Sequence, residues 1–160
     1  MKKTKSKVDN SISKNISYKE ATYSQTANKL KIKNVPTETH LKNMKVVAEK
    51  VFQPLREWAD HPIRINSMYR CEELNTSIGG SLKSQHIDGY AIDLSSMGEK
   101  TNGELFEYIK ENLEFDQLIW EFGNDESPKW IHVSYVSKKS NRNRILRAKY
   151  RGSRVTYHII

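Results

Sequence analysis

The chain has 160 residues, 29% of them charged, and a formal net charge of +8; that length fits one domain able to bury a core without disulfides or a structural metal. Its single cysteine, Cys71, excludes an internal disulfide and a multi-cysteine metal cluster, and no apolar run is long enough to span a bilayer. Residues 1–33 carry nine lysines against Asp9 and Glu20, and residues 138–160 carry eight Lys and Arg and no acid, so basic ends flank an acidic middle, a distribution that argues against a specific nucleic-acid partner.

Residues 1–15, lysine- and asparagine-rich, are expected to form a loose basic tail, and the amino end lacks the apolar segment that follows the lysines of a signal peptide. Ser17 with Glu20 has the form of a capping box opening a short helix over "SYKEATYSQTANKL". From Thr39, the residues Leu41, Met44, Val47, Ala48, Val51, Phe52, Leu55 and Trp58 recur at steps of three and four, one apolar stripe that Pro54 should kink or restart. "PIRINSMYR" reads as a strand ending near Arg70, "CEELNTSI" as a short helix stopped by Gly79 and Gly80, and "GYAIDLSS" as a second strand. Thr101 and Glu104 form a capping box for the helix "GELFEYIKENL". "FDQLIWEF" and "WIHVSYV" are strand-like runs around the turn-rich "GNDESPK", and "RVTYHII" is an edge-strand candidate. Helices first and paired strands later predict an α+β domain, a small antiparallel sheet packed against amino-terminal helices, over residues 16–150, with 151–160 as an extension.

Metal-ligand residue types occur at suggestive positions. His86 lies in the turn before a strand and Asp93 within it, and a catalytic metal site of the zinc type takes three such ligands. Period-two alternation puts Trp130, His132 and Ser134 on one strand face, making His132 the best third candidate, and Gln117, Ile119 and Glu121 on one face of the preceding run. If the two runs form a hairpin, Glu121 can share a face with His132. Taken singly, His86 reads as an exposed turn residue and His132 as a core histidine; His40, His61 and His158 have no partner at ligand spacing.

"SQHIDGYAID" resembles the SxHxxGxAxD signature of zinc peptidases that act on bacterial cell-wall peptides: D-alanyl-D-alanine carboxypeptidases, dipeptidases of vancomycin resistance and phage endolysins. "INSMYRCEELNTSIGGS" before it is similar to the family's SGYRSPxLNxxVGGSxxSxH run, and "WIHVSY" follows in the family's order. The likeness covers roughly residues 15 to 147 and looks closest to the single-domain branch found in phages, with a Hedgehog-like fold. The resemblance implies a Zn2+ site held by His86, Asp93 and His132, with Arg70 for the substrate carboxylate and Ser84 for substrate backbone. It implies peptidoglycan peptides as substrate, cut by a carboxypeptidase or endopeptidase, and a monomer made in the cytoplasm that reaches the wall by release or through a partner. One departure stands out: many relatives carry a catalytic glutamate three residues before the last histidine, where this chain has Lys129. A lysine is a poor base for water at neutral pH. Glu121 takes that role on the shared-face argument and on the similarity of its "EF" to the nearer branch, with Asp125 and Glu126 as alternatives; the departure also leaves open a metal-containing binding module without turnover.

Overall fold

Capping residues divide the amino-terminal third. In a computed structural model describing residues 11–160, Ser17 caps helix α1 (Tyr18–Thr22) and closes the expected box with Glu20, while Ser24 caps a separate helix α2 (Gln25–Leu30). One helix was expected there, but the extended backbone of Tyr23 and the second serine cap interrupt it. Of the segment expected to be loose, residues 1–10 lie outside the described residues, and Ile12 is buried with Ile16 in the core.

The long apolar stripe folds as α3 (Glu38–Val47), a π-helical turn (Ala48–Phe52) and α4 (Gln53–Ala59) in direct succession. Pro54 sits in the first turn of α4 and has no N–H to donate. The wider turn immediately before it accommodates the missing bond. Met44, Val47, Ala48, Val51, Phe52 and Leu55 are all buried, each large side chain contributing about 1.5–3 kcal/mol of apolar burial.

The strands are β1 (Ile63–Ser67), β2 (Ala91–Ser96), β3 (Gln117–Glu121), β4 (Trp130–Ser134), β5 (Arg144–Arg151) and β6 (Arg154–Ile159), with α5 (Glu72–Ser77) and α6 (Asn102–Asn112) between them. They form one six-stranded sheet in the order β1-β2-β4-β3-β5-β6. The α+β architecture is as expected, with one departure: β3 and β5 pair in parallel, all other neighbours antiparallel. β4 occupies one side of β3, so the chain must cross over to reach the other, and β5 then runs in the same direction as β3.

The sheet has two unlike faces. Ile92, Leu94, Leu118, Trp120, Ile131 and Val133 alternate onto the face covered by the helices and complete the main core with Leu105, Phe106 and Ile109 of α6. The opposite face carries Asp93, His132, Ile119 and Glu121, above a smaller apolar cluster of Ile119, Leu146 and Ala148. Trp58 stacks on Tyr108 with ring centroids 4.1 Å apart, which ties α4 to α6. No helix among the described residues is long and apolar enough to cross a membrane.

Candidate metal centre

Antiparallel register places Asp93 of β2 directly opposite His132 of β4, so both side chains leave the same face. His132 Nδ1 lies 2.8 Å from Asp93 Oδ1, and His86 Nε2 lies 3.2 Å from the same oxygen. The three ligating atoms lie within 4.8 Å of one another. The two imidazoles meet edge to face, centroids 5.1 Å apart.

The turn before β2 aims His86. Its Nδ1 is 2.6 Å from the carbonyl oxygen of Met68, which assigns the ring proton to Nδ1 and leaves Nε2 with a free lone pair. The backbone carbonyl of His86 accepts from the N–H groups of Arg70 and Gly89. Gly89 has φ +77°, and a Cβ there would stand 2.7 Å from the carbonyl oxygen of His40 on α3. The glycine of the signature therefore serves both a left-handed turn and a close approach to a helix.

Electrostatics favours ligation. Burial lowers the pKa of His86 and keeps it neutral, the form that binds a metal. Burial alone would raise Asp93, but the two imidazoles beside it outweigh that effect and hold the carboxyl far below the usual range. Two imidazoles and a carboxylate, converging on a buried point with lone pairs available, fit a divalent ion of the zinc type.

The centre lies in a cleft of about 630 Å³ that also contains Arg70, Ser84 and Glu121. Arg70 Nη2 stands 3.7 Å from Asp93 Oδ2, and its buried Nε has no hydrogen-bond partner among the described residues. Burial lowers the Arg70 pKa, with Asp93 and Glu121 acting in the opposite sense. Glu121 lies opposite Trp130 across the β3–β4 hairpin, two pairs beyond Ile119 and His132 and therefore on the same face, and is 7% exposed. Burial pushes its carboxyl up to about 7, against the lowering influence of His132. Asp125 and Glu126 are exposed in the turn, and Asp125 pairs with Arg147 at 2.7 Å. Lys129 is exposed and lines a separate hollow with Phe122 and Arg147. His40 closes the cap of α3 through Nδ1, His61 Nδ1 contacts the Pro62 carbonyl, and His158 contacts Thr156.

Sequence reasoning missed two contributors. Asp116, 1% exposed, is held by Arg142 through Nη2 at 2.6 Å and Nε at 3.0 Å, and accepts from Gln85 Nε2 at 2.8 Å. It thus ties the loop carrying His86 to the start of β3 and the segment before β5. Tyr157 of β6 lines the cleft opposite that loop. The alternation in "RILRAKYR" was a usable strand signal, obscured by its charges.

Two imidazoles and a carboxylate converging above one sheet face, with an arginine whose Nε lacks a partner among the described residues and a carboxyl near neutrality in the same cleft, define a metallohydrolase centre. In agreement, residues 14–134 match the family described as Peptidase M15, and the chain belongs to that family of metal-dependent peptidases. No curated protein matches the chain.

Proposed function

We propose that the chain is a zinc-dependent peptidase that hydrolyses an amide bond in peptidoglycan stem peptides, as a terminal D-alanine carboxypeptidase or a stem or crosslink endopeptidase. The observation that carries this reading is the placement of Glu121, a buried carboxyl titrating near neutrality, in the same cleft as His86 and on the same sheet face as Asp93 and His132. These three residues would hold zinc, which when bound lowers the pKa of water and polarises the scissile carbonyl. Glu121 accepts the proton of the attacking water and delivers it to the leaving amine, a role suited to a group that titrates near the working pH. Arg70, with a buried donor left unpaired, binds the substrate carboxylate and sets the register of cleavage. Ser84, which also lines the cleft, offers a hydroxyl to substrate backbone. This reading extends to a lytic enzyme of phage type that reaches the wall after release or delivery by a partner.

The competing reading, a metal-containing binding module, draws on Lys129. Because Lys129 is exposed outside the cleft, the substitution leaves the acid inside it untouched, which favours catalysis. Digestion of purified peptidoglycan with and without a chelator, followed by mass analysis of the soluble products, tests the proposal. Chelator-sensitive release of D-alanine or of stem peptides is expected. Absence of any product from protein with zinc bound would establish the binding module.

A further inference from the structure

The cleft has a wall that lies beyond the family match, which ends at residue 134, whereas β5 and β6 follow it. β5 sets Ala148 beside Glu121, and β6 sets Tyr157 beside Ala148. Residues directly paired across neighbouring strands share a face. Trp130, Glu121, Ala148 and Tyr157 therefore form one row across β4, β3, β5 and β6, on the face that carries the metal centre.

The alanine in that row matters. Strands lie about 4.8 Å apart, so Glu121 and Tyr157 are separated by roughly 10 Å of backbone, and only a methyl group stands between their side chains. The Tyr157 ring lines the cleft together with Val155 and Leu146, yet the residue is 54% exposed. Among the described residues no group hydrogen-bonds its hydroxyl. Burial, then Glu121 and Asp93, raise the phenol pKa, so the hydroxyl stays a neutral donor. A neutral phenol donates readily to an uncharged acceptor such as a peptide carbonyl.

We infer that Tyr157 is a substrate-binding residue whose hydroxyl donates a hydrogen bond to a main-chain carbonyl of the stem peptide, on the β5–β6 side of the bond cut, while Val155 packs beside that residue. This rests on the peptidase reading. Arg70 grips one end of the peptide and the carboxy-terminal hairpin the other, so the hairpin determines which peptides fit.

The test uses the full-length, zinc-loaded protein and a synthetic stem pentapeptide containing both the L-Ala-D-Glu and D-Ala-D-Ala bonds. Tyr157→Phe removes the donor and keeps the ring. It should raise KM about threefold to tenfold, the worth of one neutral hydrogen bond, with kcat within about twofold, as expected for uniform binding. Melting temperature and metal content should be unchanged. Tyr157→Ala should raise KM further. Calorimetry of the same peptide on Glu121→Gln, with and without Tyr157→Phe, should show the same loss of affinity without turnover. If the unaltered protein cleaves the peptide and both Tyr157 variants match it in KM, the inference falls and the peptidase reading stands. A fall in kcat at constant KM overturns the binding role. If the unaltered protein neither cleaves the pentapeptide nor digests peptidoglycan, both fall together.

Discussion

His132 Nδ1 and Asp93 Oδ1 lie 2.8 Å apart because β2 and β4 place the two residues in direct register. Neither side chain can be withdrawn without leaving two donor atoms on a surface built for three. His132→Ala or Asp93→Ala should reduce metal affinity by more than the roughly 10–100-fold typical of changes around ligands. Metal content after dialysis against a weak chelator, read by elemental analysis, checks this; full retention would mean that the ion sits elsewhere.

Glu121→Gln keeps the shape of the side chain and removes its proton chemistry. Turnover should fall about 10²–10⁴-fold with metal content unchanged. Asp125→Asn and Glu126→Gln, in the exposed turn, should retain activity. Activity surviving in Glu121→Gln would assign the base to another group.

The raised pKa of Glu121 also has a sign in stability. Burial favours the protonated form in the folded chain, so this contribution is complete below the ordinary carboxyl pKa near 4.5 and is lost as pH rises through about 7. In metal-free protein, the unaltered chain should lose about 3 kcal/mol relative to Glu121→Gln between pH 4.5 and 8. Denaturant titrations of the two proteins across that range measure the difference, and parallel curves would show that the carboxyl is not desolvated.

Asp116 behaves in the opposite way. Burial alone would raise its pKa, but the hydrogen bonds from Arg142 and Gln85 prevail and lower it. Its contribution is present above the ordinary carboxyl range and is lost as pH falls through the lowered value. Asp116→Ala should cost about 2–4 kcal/mol, since it leaves Gln85 and Arg142 without their acceptor. Metal affinity should weaken as well, because Gln85 adjoins His86. Equilibrium unfolding and a metal titration provide the two readouts.

Gly89→Ala would force a side chain into a left-handed turn against the backbone of α3. A loss of about 1–3 kcal/mol is expected, together with weaker metal binding, because the turn it closes carries His86. An unchanged melting temperature would show that the turn relaxes.

The candidate metal centre was largely legible because strand alternation is a strict rule: His132 and Glu121 share one face for the same reason that Ile131 and Trp120 share the other. The capping boxes at Ser17 and Thr101 were equally local and equally visible. What remained hidden depends on contacts distant in sequence. Nothing near Asp116 announces that Gln85 and Arg142 will converge on it. The parallel pairing of β3 with β5 goes with β4 occupying the other side of β3, a property of the whole sheet that no local pattern encodes. Tyr157 joined the cleft only through that pairing.

The position of β5 also determines where this protein can be cut. With β4 on one side and β5 on the other, the strand bearing Glu121 lies inside the sheet. An excised fragment limited to residues 14–134, the span of the family match, would turn β3 into a boundary, with the backbone of Gln117–Glu121 unpaired on one side. Such a margin recruits other chains. Trimming at residue 150 would move the same problem outward to β5, since Leu146–Arg151 pair with β6. The smallest piece that keeps the strand beside the acid paired on both sides therefore runs through Ile159, and the carboxy-terminal hairpin is the selvedge of the sheet.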